Sequence, residues 1–367
     1  MLAAGIFFGL FFVVCLGLLV LLSRRQRPRR RGVRAPRPRV SILVAARNEQ
    51  ASIERCLRSL AQQKYPTGRL EIIIADDHST DATAAVIEEF IRDKPQFRLL
   101  RVRERLGCTK DKSNALAHLC RAATTNYLLF TDADMALPPD WVATMLAALE
   151  PGVGVVTGIT TAEGNLFGRL QGLDWLFGLN VIRVLAERGL PTSAIGNNML
   201  LTRAAYESIG GLENMRFSVS EDLQIFQKVV ARGWGFRHLC EPQALGISEA
   251  QPNFSALLKQ RKRWLKSASG LPWYLTGLFG MYATFYTVLC WPGLFPLSII
   301  TGIYLAKTGF QTLFLAITLR QTGRREHVAV LLLYELYLCI MSVAVLAYTL
   351  WPTRLEWKER RYTLAEA

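Results

Sequence analysis

Asn126-Tyr127-Leu128-Leu129-Phe130-Thr131-Asp132-Ala133-Asp134 is the stretch that decides how this chain reads. Its first half is a continuous apolar run, of the kind buried on both faces of a parallel sheet. Two carboxylates then follow at i and i+2 where the strand runs out, and both can lean toward one site once the extended chain bends. Hard oxygen ligands of this type suit Mg²⁺ or Mn²⁺, ions that share their shell with substrate phosphates. In open α/β sheets ligands sit beyond the carboxyl ends of the strands. The tetrapeptide Thr131-Asp132-Ala133-Asp134 alone also fits a plain strand-end turn, where Asp is common. The surrounding chain separates the two readings.

Upstream, residues 40–45 form an apolar strand pattern, and residues 50–63 have helical spacing at Ile53, Leu57 and Leu60. Residues 70–75 predict a second strand that ends in Asp76-Asp77-His78-Ser79-Thr80-Asp81, where Thr80 or Asp81 can cap the helix that follows. Residues 97–102 predict a third strand and residues 112–122 a third helix. Downstream, residues 153–157 predict another strand and residues 166–187 a helix rich in Leu, Phe and Trp. Residues 194–202 return toward the sheet, and a helix opens at Ser220-Glu221-Asp222. Regular β-α alternation predicts an α/β domain with a doubly wound, mostly parallel sheet over residues 40–252.

The flanks are apolar. The chain has 367 residues, 51% hydrophobic, with a net charge of +15. Much of that charge sits in one block directly after an uncharged apolar run, residues 1–22, which is long enough to span a bilayer. A signal peptide would place its basic residues before the apolar core and a small-residue cleavage site after it. Here Arg24, Arg25, Arg27, Arg29, Arg30, Arg31, Arg34, Arg37 and Arg39 all follow the run. The positive-inside rule then puts the N-terminus outside and the α/β domain in the cytoplasm. Residues 23–39, with Pro28, Pro36 and Pro38, read as a stiff juxtamembrane linker on anionic lipid. The block has no interleaved aromatics, which argues against nucleic acid as a partner. The seven cysteines have no metal or disulfide spacing, consistent with a reducing compartment.

Residues 253–270 form a basic amphipathic helix, with Phe254, Leu257, Leu258, Trp264 and Leu265 set against Lys259, Arg261, Lys262, Arg263 and Lys266. A helix of this kind ahead of an apolar region reads as interfacial, with Arg261 and Lys262 expected at lipid headgroups. Residues 271–350 make a second membrane region of two to four spans: residues 271–319 suit two spans plus slack, and residues 328–350 one more. Arg320, Arg324 and Arg325 precede that last span. Lys358, Arg360 and Arg361, in a basic tail over residues 351–367, follow it. One crossing cannot place both basic flanks inside. Either residues 271–319 hold three short or re-entrant segments, or the tail faces out.

Arg47-Asn48-Glu49, Asp76-Asp77, Asp132-Ala133-Asp134 and Glu221-Asp222 thus all fall at strand ends or helix starts, and Gln260-Arg261-Lys262-Arg263-Trp264 lies on the interfacial helix. In order and spacing this set resembles family 2 glycosyltransferases with the GT-A fold. The likeness is to the membrane-bound branch of cellulose, chitin and hyaluronan synthases, poly-N-acetylglucosamine synthases and ceramide-glucosyltransferase-like enzymes. It covers residues 39–266, and more loosely the flanking spans. The resemblance implies that Ala45, Arg47 and Glu49 line the nucleotide pocket, that Asp76 and Asp77 meet the base, and that Lys112 stands near the nucleotide and donor sugar. It implies that Asp132 and Asp134 bind Mg²⁺ or Mn²⁺ and that Asp222 is the general base. It sets Asn197, Asn198 and Glu221 toward the acceptor and diphosphate, along with Gln260, Arg263 and Trp264 of the QxxRW signature.

Three positions depart from the family pattern. Ser220 replaces Thr before Glu221-Asp222 and keeps the hydroxyl. His78 stands where a Gly is common. Glu359 interrupts a Trp357-to-Tyr362 ending that otherwise resembles a WKGRxY motif of bacterial relatives with lipid acceptors.

The activity implied is inverting transfer from a UDP- or GDP-linked sugar, UDP preferred, to a lipid or glycan acceptor at the cytoplasmic face of a bacterial inner membrane. The few spans favour addition of one sugar over processive polymer synthesis. A nucleotidyltransferase would carry a Gly-rich phosphate loop after the first strand, and Val44-Ala45-Ala46-Arg47-Asn48-Glu49 has no glycine. A non-catalytic nucleotide-sugar sensor or scaffold is the remaining alternative. The sequence leaves the oligomeric state open.

Overall fold

The computed structural model describes residues 1–23, 37–267, 270–350, 355–357 and 360–362. The arginines from Arg24 to Arg34, and Lys358 and Glu359, lie outside the described residues. Helix α1 (Leu2–Ser23) is followed by β1 (Val40–Ala46), α2 (Ile53–Ala61), β2 (Leu70–Asp76), α3 (Thr83–Ile91) and β3 (Phe97–Arg101). Next come α4 (Asp111–Ala122), β4 (Tyr127–Asp132), α5 (Trp141–Ala147), β5 (Val153–Thr157), β6 (Ile159–Glu163) and α6 (Leu166–Ala186). The chain continues through β7 (Asn198–Thr202), α7 (Arg203–Ser208), α8 (Glu221–Ala231), β8 (Gly235–His238), β9 (Leu245–Glu249) and α9 (Phe254–Ser267). Helices α10 (Trp273–Leu289), α11 (Leu297–Gln321) and α12 (Val328–Leu350) precede a short hairpin of β10 (Leu355–Trp357) and β11 (Arg360–Tyr362).

Seven strands make one sheet in the order β3-β2-β1-β4-β7-β5-β8. Strand β1 pairs in parallel with both β2 and β4, while β7 runs antiparallel to β4 and β5. The chain winds outward from β1 through β2 to β3, then returns through α4 to place β4 on the other side of β1. That reversal is the switch point at which such sheets bind ligands. Register brings Ala45 level with Ala75 and Asp132, and Ala46 level with Asp76, so the acidic ends of β2 and β4 share one rim with the end of β1.

Alternation along β1 explains the layers. Val40, Ile42 and Val44 pack on one face with Ile53, Leu57, Ile87 and Trp141, from α2, α3 and α5. Leu43 packs on the other with Leu116, Leu119, Ile225 and Phe226, from α4 and α8.

Besides the terminal β10–β11 hairpin, two strands are not predicted by the sequence pattern. β6 and β9 pair in parallel as a separate small sheet. Each is five residues long, and Gly158 or Gly246 interrupts the strand signal. β9 matters because Ala136, just beyond the Asp132-Ala133-Asp134 turn, exchanges two backbone hydrogen bonds with Ile247, of 2.8 and 2.9 Å.

A second core joins α1, α6, α9, α10, α11 and α12. Helix α6 bridges the two cores. One side approaches β6 so closely that a Cβ on Gly172 would lie 2.3 Å from the Ala162 carbonyl oxygen. On its other side Phe177 stacks edge-on to Phe314 of α11, with ring centroids 5.0 Å apart. Helices α1, α11 and α12 are each long and apolar enough to cross a membrane. Large exposed apolar side chains such as Leu10, Val13, Leu305, Leu313, Leu336 and Ile340 lie on these three helices. Residues 271–319 resolve into two helices, α10 and α11, as the spacing predicts.

Candidate active site

The strand ends and helix starts singled out above face one cavity of about 650 Å³. Ala45, Arg47, Glu49, Asp77, Lys112, Asp132, Asp134, Asn197, Glu221, Asp222, Gln260, Arg263 and Trp264 all line it. Residues far apart along the chain therefore converge, and Asp134 and Asp222 open onto the same space.

One end of the cavity is built from β1 and β2. Small side chains at Ala45 and Ala46 leave room beside the strand ends. The Arg47 guanidinium donates from Nη1 to the carbonyls of Asp77 (2.8 Å) and His78 (3.0 Å), fastening the two loops together. His78 adopts φ 57°, the left-handed conformation that a glycine takes without strain. The backbone of the turn is thus kept although the glycine is not. Asp77 lines the cavity and Asp76 does not: the Asp76 Oδ1 accepts from the Ser79 N–H at 3.3 Å and braces the turn.

The acidic centre is held from several sides. Arg55 of α2 donates to the carbonyl oxygens of Asp134 (2.5 Å) and Ile247 (3.2 Å), stapling the turn to β9. Ser248 Oγ donates to Asp134 Oδ2 at 3.0 Å. Lys112, at the start of α4, puts its ammonium 2.7 Å from Asp132 Oδ1 and 3.3 Å from Glu221 Oε1. Burial alone would lower the Lys112 pKa, but Asp132 and Glu221 outweigh it and hold the group above the ordinary lysine range. Burial pushes the Glu221 carboxyl up, with Lys112 opposing. Asp222 Oδ2 accepts from the Gly196 N–H and Oδ1 from the Leu223 N–H, both at 2.8 Å. The Asp222 side chain sits 3.2–3.6 Å from where a Cβ on Gly196 would be, so that position keeps the loop close to Asp222.

Asn197 and Asn198 part company. Asn197 lines the cavity and accepts from Thr160 Oγ1 at 3.0 Å. Asn198 is fully buried: its Oδ1 accepts from Trp141 Nε1, and its Nδ2 donates to the carbonyls of Ile159 and Ala244. All of its bonds tie the core together, and it does not reach the acceptor region. On strand β7 its side chain points opposite to the cavity, which adjacency in sequence could not reveal.

His238 supports the same loop. Its half-buried ring contacts Thr157 Oγ1 through Nδ1 and Thr192 Oγ1 through Nε2, at 3.2 Å for the latter. This links β5 to the segment that carries Gly196. Burial, and secondarily the Arg183 charge, push its pKa down to about 3. A depressed histidine contributes stability above its ordinary pKa near 6.5 that is lost as pH falls toward the folded value. Thermal unfolding at pH 5 should therefore show a loss of about 2 kcal/mol relative to pH 7, and His238→Gln should flatten that slope.

The QxxRW helix is not arranged as expected. Arg261 and Lys262 are buried and do not meet headgroups. Arg261 Nη2 pairs with Asp174 Oδ2 of α6 at 2.6 Å, and its guanidinium lies 4.1 Å over the Trp264 ring. Lys262 Nζ donates to the Tyr348 carbonyl at 3.2 Å. The physical reason is that α12 covers this face of α9, where lipid was expected. Asp174 and Trp175, also in the cavity wall, belong to the helix over residues 166–187, whose Leu-, Phe- and Trp-rich pattern carries no sign of a site. Trp175 meets Trp264 edge-on at 4.7 Å. Ser248 and Gln251 had no legible signal.

Among the described residues no three His, Cys, Asp or Glu side chains cluster as a metal cage. The Asp132 and Asp134 carboxylates nevertheless suit a hard divalent ion whose remaining positions are filled by phosphate oxygens and water.

The sequence matches the profile described as Glycosyl transferase family group 2 over residues 127–351, and that of Glycosyl transferase family 2 over residues 41–210. It is 27% identical over 239 residues to a beta-monoglucosyldiacylglycerol synthase of Synechocystis, covering 62% of this chain and 47% of that protein. It is 26% identical over 230 residues to a poly-beta-1,6-N-acetyl-D-glucosamine synthase of Staphylococcus epidermidis, covering 61% and 53%. The chain thus spans about half the length of the curated relatives it matches. In structure it is similar to a mannosyltransferase of Pyrobaculum calidifontis solved with GDP-Man and Mn²⁺. The TM-score is 0.60 with 22% identity, over 95% of this chain and 97% of that one. That likeness establishes a GT-A-like α/β fold.

Proposed function

This chain belongs to Glycosyl transferase family group 2, and on that premise we propose that it moves one sugar from a nucleotide diphosphate donor, UDP-linked before GDP-linked, to a lipid or lipid-linked acceptor at a membrane surface. The observation that carries this reading is the continuity of the cavity. It runs from the Asp132, Asp134, Lys112 and Asp222 cluster, past Trp264, to an aliphatic wall of Leu338, Met341, Val345 and Leu346 on α12. A charged donor end and an apolar acceptor end are what transfer from a soluble donor to a lipid requires. The Synechocystis relative, named for a glucosyldiacylglycerol product, supports the acceptor class. The bound GDP-Man of the structural neighbour supports a nucleotide-sugar donor.

In this reading Asp77, Arg47 and Glu49 shape the nucleotide end. A divalent ion, Mg²⁺ or Mn²⁺, held by Asp132 and Asp134, supplies charge stabilisation for the departing diphosphate when bound. Lys112 and Arg263 place fixed positive charge against the same developing negative charge. Asp222 takes the acceptor hydroxyl's proton. The acceptor oxygen bonds to the anomeric carbon as the bond to the phosphate oxygen breaks, and the configuration inverts. Trp264, fixed between Arg261 and Trp175, walls the acceptor side against water. The catalytic domain faces the cytoplasm of a bacterial inner membrane.

Membranes carrying the protein, incubated with labelled UDP- and GDP-sugars, are expected to yield an organic-extractable glycolipid bearing one sugar. Chelation should lower the rate at least ~100-fold, and Mg²⁺ or Mn²⁺ should restore it. A long aqueous polymer would instead support the processive reading suggested by the staphylococcal relative. Absence of incorporation from every donor would overturn the activity.

A further inference from the structure

Helix α12 is, by length and hydropathy, a candidate to cross a bilayer. Its 23 residues extend roughly 34 Å, about the thickness of the hydrocarbon core. A helix of that length set upright would leave its two ends on opposite membrane surfaces. In this fold both ends lie against elements seated on the catalytic domain.

At the N-terminal end, Glu326 pairs with Arg169 of α6 and Arg324 with Glu163 of β6. One to two turns along, the Tyr334 hydroxyl donates to Asp174 of α6 at 3.2 Å. Near the C-terminal end the Tyr348 carbonyl accepts from Lys262 of α9, and beyond it β10 packs on α9. Helix α9 is itself tied to the catalytic domain at both ends. Gln251, just before it, accepts at its carbonyl from Gln171 Nε2 (3.1 Å), and Gly270, just after it, accepts from Gln227 Nε2 of α8.

The upright helices behave differently. Leu22 at the end of α1 accepts from Gln321 at the end of α11, next to the catalytic domain. Phe8 near the start of α1 packs on Phe285 and on Phe295, in the α10–α11 turn.

We propose that α12 lies in the plane of the membrane beneath the catalytic domain, with both ends on the catalytic side, and walls the active-site cavity so that it opens sideways, between α10 and α12, into the near leaflet. Phe279 and Ala283 of α10 face Leu338, Met341, Ser342 and Val345 of α12 across that opening. Its occupant is the hydrocarbon chain of the acceptor lipid, which rests on the lipid-acceptor reading above. The continuity of the opening with the charged centre argues for this, since the chain must lie where its headgroup hydroxyl reaches Asp222. The glycosylated product then stays in the leaflet it came from. The placement also puts Arg320, Arg324 and Arg325 on the same side as the chain beyond α12, as the positive-inside rule requires of both basic flanks.

Depth and sidedness test it. Leu332, Leu336, Ile340 and Val343 lie on the exposed face of α12. Each, changed singly to Cys and labelled with bimane, is reconstituted in phosphatidylethanolamine–phosphatidylglycerol vesicles with nitroxide lipids spin-labelled at different depths. Similar depths for all four are expected. A steady gradient of about 1.5 Å per residue would mean a crossing helix and overturn the placement. In membrane vesicles of known sidedness, a protease-sensitive tag after Ala367 should be cut from the same side as one inserted at Gly68 of the catalytic domain, and cutting from opposite sides overturns it. These readouts do not depend on sugar transfer. A confirmed in-plane α12 in a protein that makes no glycolipid would remove the lipid reading and leave the topology standing.

Discussion

Asp222→Asn should lower kcat for sugar transfer by roughly 10²–10⁴-fold while leaving the KM for the donor within a few-fold. The substitution keeps the shape of the side chain and removes its ability to take a proton. Asp222 is held by two backbone N–H groups, from Gly196 and Leu223, that converge on its carboxylate from either side. The asparagine oxygen can keep one of these bonds, and its amide must turn from the other. Some movement of the Gly196 loop is expected, so Asp222→Glu serves as the companion variant. It keeps the charge and the proton affinity but lengthens the reach, and partial activity there together with loss in Asp222→Asn assigns proton transfer to this position. Glu221 is the competing base, because burial raises its proton affinity. Its carboxylate, however, faces Lys112, and Glu221→Gln should act mainly by freeing that ammonium. Full activity in Asp222→Asn would move the base elsewhere and leave the family assignment intact.

Legibility divides along physical lines. The parallel core was readable because β1, β2 and β4 are largely apolar runs, of which β2 and β4 end in carboxylates, and such runs have few alternatives. The converging carboxylates were readable through their place at strand ends, since the wound topology brings all those ends to one rim. Side-chain direction was not readable. Asp76 and Asp77 are neighbours, as are Asn197 and Asn198, yet one of each pair enters the cavity and the other braces a turn or a core. A strand sends successive side chains to opposite sides, and only the observed register decides which.

The basic face of α9 shows a different limit. Its amphipathic pattern was genuine, but amphipathicity states only that one face is polar and not what covers it. Here Asp174, from an otherwise apolar helix, and the α12 backbone take the place of water and lipid headgroups. The conflict between the basic flanks of the last apolar run had the same origin. Counting spans from hydropathy assumes that every long apolar helix crosses. In the in-plane placement proposed for α12, whose two ends contact α6 and α9, both basic flanks fall on one side without adding a segment to residues 271–319.

Lys307→Leu should be the most destabilising single change in the helical region. The Lys307 ammonium lies 2.5 Å from Glu335 Oε1, linking α11 to α12, and the two side chains are 1% and 0% exposed. Tyr286 of α10 bonds to both, and the rings of Tyr282, Phe285 and Tyr286 surround the ammonium at 4.8–5.6 Å. Removing the lysine leaves a buried carboxylate without its cation, a loss of about 3–5 kcal/mol in comparable buried pairs. In detergent or nanodiscs this should appear as a fall in Tm of roughly 5 °C. Two buried charges are expensive to desolvate even when paired, so Lys307→Leu/Glu335→Leu should recover most or all of the loss. The comparison separates charge from packing. If the double variant is no more stable than Lys307→Leu, the aliphatic replacement at 307 disrupts packing and the ion pair is not what holds α10, α11 and α12 in register. If it recovers, sugar transfer should return with it, because α12 then again walls the cavity that Asp222 lines.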